Sequence, residues 1–83
     1  MEEIKTRRGA TEALSYWVTK MHGLEDNYRE SGNSSKYTGV KQLEGELTLR
    51  VGAVTQILCE DNLNDLNEFM GQLEEKLSKI DSS

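Results

Sequence analysis

The sequence predicts an all-α protein: a small three-helix bundle, or a helical hairpin with a bent long second arm, that self-associates. Three observations predict it. Near the end of the chain, Leu63, Leu66, Met70, Leu73, Leu77 and Ile80 follow one another with gaps of 3, 4, 3, 4 and 3, the spacing of one continuous helical stripe. The 83 residues contain no proline, so nothing interrupts a long helix by removing a backbone donor. Hydrophobic residues are only 35% of the chain and charged residues 30%, yet the apolar positions recur with helical period, which separates an amphipathic helix from a disordered segment.

The first helix is expected from about residue 10 to Glu30, with a start as early as Glu2 left open. Ala10, Leu14, Trp17, Val18, Met21, Leu24 and Tyr28 fall within an arc of roughly 120° at about 100° per residue. Gly32 is placed to end it as the left-handed residue just past a helix. The stretch "SGNSSKYTG" has turn-forming composition, and a loop is expected over 32–39. The second helix is expected over 40–60, lined by Leu43, Leu47, Val51, Val54 and Leu58 with Ile57 beside them. "CEDNLND" then breaks the pattern, with Asp61 or Asn62 suited to cap the third helix and Glu60 and Asp61 suited to its positive end. The third helix is expected over 62–80. Its stripe is too short for a free-standing coiled coil, so packing within a bundle accounts for it.

A chain of this length makes one domain, 1–83, and buries roughly 60% of its unfolded surface, so a partner adds considerably to its stability. The single cysteine, Cys59, rules out an internal disulfide and a cysteine-built metal site. No run of about 18 apolar residues is present, so no membrane span is expected. "MEEIKTRRGATEAL" is too polar for a secretory signal, and a cytoplasmic location is the expectation. The net charge is −5 and unevenly spread, with four basic and three acidic residues in 1–24 against two basic and five acidic in 62–83.

Helix two holds the irregular residues. Gly45 and Gly52 lie about 160° from its apolar stripe, beside Thr48, Leu49, Gln56 and Cys59. Each glycine inside a helix costs roughly 1 kcal/mol relative to alanine, and Leu49 would otherwise be an isolated exposed apolar side chain. Gly45, Thr48, Leu49, Gly52 and Gln56 are therefore candidate interface residues. Tyr16, opposite the apolar face of helix one and near Lys20, joins them, because aromatics are enriched at interface hot spots; Trp17 reads as core.

Arg50 falls inside the apolar arc of helix two and must be paired or reach solvent; Glu46, four residues earlier, is the expected partner. Alternatively Arg50 projects into a cleft between subunits and holds an anion. With Lys36 and Tyr37 of the loop and Arg7 and Arg8 near the N-terminus, it forms the candidate set for a small anionic ligand such as a nucleotide.

Catalysis finds little support. His22 is the only histidine, so neither a histidine-based metal site nor a relay of several histidines is expected to be possible, and "GNSSKYTG" lacks the spacing of a phosphate-binding loop. No cofactor and no metal are expected. Direct nucleic-acid binding is not expected either, since three N-terminal cations without interleaved aromatics make a weak patch.

The function expected is that of a non-enzymatic interaction protein that self-associates and binds another macromolecule as an adaptor, assembly factor or inhibitor. Small adaptors, assembly chaperones and inhibitors encoded by phages or mobile elements share this general size and style. The first alternative is an oligomeric binder of a small anion. The second is an acidic mimic of nucleic acid built on Glu44, Glu46, Glu60, Asp61, Asp65 and Glu68, which the ten basic residues dilute.

Overall fold

The structure, a computed structural model, describes residues 3–82. Three helices follow one another: α1 (Arg7–Glu30), α2 (Ser34–Gln56) and α3 (Glu60–Ser82). There is no strand among the described residues. The body measures 41 × 17 × 17 Å, the proportions of three helices lying side by side.

The all-α expectation holds; the end of α1 stays at Glu30, the end of α2 draws back, and the other boundaries move outward. Helix α1 starts at Arg7 rather than at residue 10, because the Thr6 hydroxyl accepts a hydrogen bond from the Gly9 N–H (2.9 Å) and caps the first turn. The earlier start left open at Glu2 is not found: residues 3–6 precede the helix, and Glu2 itself lies outside the described residues. At the other end Gly32 adopts φ +75°. The Gly32 N–H donates to the Arg29 carbonyl and the Asn33 N–H to the Tyr28 carbonyl, the paired bonds that close a helix through a left-handed residue.

The loop expected over 32–39 contracts to the few residues before Ser34. Asn33 accepts a hydrogen bond through its side chain from the Lys36 N–H (3.2 Å), so one asparagine starts α2 inside a stretch whose composition reads as turn. Gly39, placed in that loop by composition, is helical. A Cβ there would sit 3.2 Å from Ile80 Cδ1, so glycine sets the close approach of α2 to the end of α3.

Helix α2 ends at Gln56, not at residue 60. Ile57 is extended (φ −131°, ψ 104°), and the chain reverses into α3, so the two helices are separate arms. Asn62 does not cap α3. Its amide donates to the carbonyls of Ala53 (3.2 Å) and Ile57 (2.9 Å), closing the end of α2 instead. Glu60 and Asp61 occupy the first turn of α3, where carboxylates complement the positive helix end.

Helix α2 lies antiparallel to both neighbours, since Glu44 and Lys41 meet His22 and Glu25 of α1, and Arg50 and Lys36 meet Asp65 and Asp81 of α3. It packs closely against each outer helix, whereas α1 and α3 approach each other less closely and meet through side chains, the Tyr28 hydroxyl donating to Asp81 Oδ1 (2.9 Å). The core between them holds Trp17, Met21, Val40, Leu47, Val51, Val54, Leu66, Phe69 and Leu73. Before α1, the chain is pinned to α3 by Asn67, which accepts from the Ile4 N–H (2.7 Å) and donates to the Ile4 carbonyl (2.9 Å).

Candidate functional site

Four polar side chains meet on the α1–α2 seam. His22 and Glu25 sit one turn apart on α1, and Lys41 and Glu44 sit one turn apart on α2, so both pairs face the same seam. The two helices run antiparallel, which sets His22 against Glu44 (Nε2 to Oε1, 3.3 Å) and Lys41 against Glu25 (Nζ to Oε1, 3.2 Å).

Glu25 is 4% exposed, the one buried charged residue among the described residues. Burial pushes its carboxyl above the ordinary carboxylate range, and the facing Glu44 carboxyl reinforces this against the opposing pull of Lys41. Burial acts on Glu44 in the same direction, but the Glu25 hydrogen bond, the Lys41 charge and the His22 ring outweigh it and hold Glu44 below that range. The Lys41 ammonium is raised, chiefly by its hydrogen bond to Glu25. The second oxygen, Oε2, of both Glu25 and Glu44 is buried with no hydrogen-bond partner.

One imidazole nitrogen and one oxygen from each carboxylate lie within 4.8 Å of one another. Sequence reasoning missed this group by counting histidines alone. The signal present in the sequence was His22 and Glu25 at a helical i, i+3 spacing; the contribution of α2 depends on the register between helices.

The candidate interface residues divide. Gly45, Thr48, Leu49 and Gln56 are exposed and Gly52 is half-buried, all along the outer side of α2. A Cβ at Gly45 or Gly52 would meet nothing within 4 Å, so the chain's own packing does not require either glycine. Leu49 is 74% exposed, and Ile57 and Leu58 extend apolar surface beyond the helix end. These two were expected along the apolar side of helix two; the extended backbone at Ile57 turns them outward. Tyr16 lies elsewhere, on α1, where it meets Trp17 edge-to-face at 5.5 Å and shares Lys20 with it.

The candidate anion contacts are not brought together. Arg50 has its Nε 3.2 Å from Asp65 Oδ2 without hydrogen-bond alignment, and its guanidinium lies 4.5 Å from the Phe69 ring centre. The expected pairing with Glu46 is made to that residue's backbone carbonyl instead (3.4 Å). Lys36 donates to the Asp81 carbonyl at the end of α3 and lies over the Tyr28 ring, while Tyr37 packs against the core. Lys36 and Arg50 are about 21 Å apart along α2 at 1.5 Å per residue. Arg8 pairs with Glu12 on the surface, and Arg7 opens α1 beside it. The acidic set is likewise divided, since Glu44 faces His22 and Asp65 faces Arg50.

No protein-family model, curated protein or solved structure matches this chain. No helix among the described residues is long and apolar enough to cross a membrane.

Proposed function

We propose that this chain is a non-enzymatic helical interaction module of the cytoplasm. It pairs with a second copy through the outer strip of α2 and, once paired, binds another protein as an adaptor, assembly factor or inhibitor. The observation that carries the pairing is the composition of that strip. Thr38, Gln42, Gly45, Leu49, Gly52 and Gln56 run along one side of α2 without a single charge, in a chain where 30% of residues are charged. Depletion of charge is a mark of interface cores.

The strip also reads alike in both directions. About Leu49, glutamine stands seven residues before and after (Gln42 and Gln56), and a small residue four before and after (Gly45 and Ala53). Two antiparallel copies of α2 crossing at Leu49 would therefore set glutamine against glutamine and small residue against small residue, the self-complementarity that a two-fold interface requires. Gly45 fits this arrangement by standing opposite Ala53 of the second copy, and Gly52 lies beside Ala53. Each glycine costs roughly 1 kcal/mol of helix stability with no benefit inside the monomer, and a facing helix gains close approach from their missing side chains.

The test is solution mass and helicity of the wild type and of Leu49→Glu. The wild type is expected to dimerise as its concentration is raised toward about millimolar, and the variant, whose two glutamates would meet on the symmetry axis, to remain monomeric with the same circular dichroism. Gly52→Leu is expected to weaken the dimer by overpacking. A strictly monomeric wild type, or a Leu49→Glu protein that still dimerises, overturns the pairing.

A further inference from the structure

We propose that His22, Glu25 and Glu44 form a binding site for one divalent first-row metal ion of the zinc class, and that Lys41 is the resident cation which the metal displaces. The site stands apart from the α2 strip and does not depend on self-association.

Three observations carry it. The donors are a borderline imidazole nitrogen and two carboxylate oxygens from adjacent helices, all within 4.8 Å of one another, a set that suits zinc and its first-row neighbours. The spacing is nearly that of a coordination shell. Ligands at about 2.1 Å around a tetrahedral ion are roughly 3.4 Å apart, and His22 Nε2 and Glu44 Oε1 already stand 3.3 Å apart. The third observation is independent of the spacing. Glu25 is 4% exposed, and its Oε2, like that of Glu44, is buried and receives no N–H, ammonium or hydroxyl donor, which leaves the two carboxyls only a proton to share between them. Buried facing carboxylates short of donors are costly, and a metal ion bound to one oxygen of each would neutralise both groups.

Lys41 does not prevent this. Its ammonium touches only Glu25 Oε1 (3.2 Å), and its side chain is 48% exposed, so it can swing into water and leave the two carboxylates to a doubly charged ion. His22 is exposed on the outer edge of the group (57%), which gives the ion an entry path. Three protein ligands leave a fourth position for water, the open form of a zinc site. Binding releases whatever proton the facing carboxyls hold, because only the deprotonated groups are ligands.

The experiment uses the full chain and zinc ion alone, read by calorimetry and thermal melting, with cobalt(II) as an optical probe. The wild type is expected to bind one zinc per chain, to melt at a higher temperature as sites fill, to release protons on binding, and to give visible cobalt bands that zinc abolishes. His22→Ala changes an exposed side chain and leaves the fold intact; with Glu25→Gln it is expected to weaken zinc binding at least about tenfold. Lys41→Met should tighten binding by removing the competing cation. Cys59→Ser is expected to bind as the wild type does. Absence of saturable binding overturns the proposal. So does binding that survives unchanged in both His22→Ala and Glu25→Gln, or that disappears in Cys59→Ser.

Discussion

Glu25 shows how much one side chain's surroundings decide. In the sequence it is one of fifteen acidic residues; in the fold it is a carboxyl under a helix–helix seam. Its folded pKa lies above the ordinary value of 4.5, so its contribution is fully present below that value and is lost as pH rises through the folded one. Glu44 has the opposite sign. Its carboxyl is held below 4.5, so its contribution is present above that value and is lost as pH falls through its folded pKa. Glu25→Gln keeps the shape and removes the first effect. It is expected to flatten the decline in melting temperature as pH rises above 4.5 and, where the wild-type carboxyl has ionised, to melt at or above the wild-type temperature. Urea or thermal melts across that range check it, and a steeper decline in the variant would remove burial as the cause of the shift.

Among the helices, what was readable and what was not follows from the range of the forces. The stripe of α3 and the arc of α1 are local patterns, and Leu66, Met70 and Leu73, with Trp17 and Met21, are buried where those patterns place them. The ends went astray where a capping side chain overrides composition. Asn33 pulls α2 back into "SSKYTG", and Asn62 reaches over the break to close the helix before it rather than the one it belongs to. Which of two flanking helices an asparagine serves depends on the path of the turn, which no local window contains. The Glu25–Glu44 pairing was hidden for the same reason. Asn62→Ala is expected to cost about 1 kcal/mol and to lower the melting temperature by roughly 4–8 °C. Amide exchange should rise first over residues 53–57, and a loss confined to the start of α3 would show that Asn62 caps its own helix after all.

At the scale of the molecule the core is thin, and each fully buried leucine carries a large share. Leu73 is wholly shielded from solvent in the middle of α3. Leu73→Ala is expected to cost about 3 kcal/mol, a large part of the total stability of a domain this small. Its denaturant midpoint should fall steeply with an unchanged slope; a shift under about 1 kcal/mol would mean that α3 packs more loosely than this core implies.

Helix α2 makes the closest backbone approach to both of its neighbours, and that has a consequence for how the chain comes together in time. The outer rods meet each other only through side chains, so α2 supplies the closest packing surface for both, and a hairpin that contains it has the most to gain by forming first. On the ribosome, where the chain emerges from its amino end, the α1–α2 pair can zip up while α3 is still being made. Its exposed flank is then the greasy trough that Leu66, Phe69 and Leu73 will fill, and the interval before they arrive is when the nascent protein is most open to sticking to a stranger.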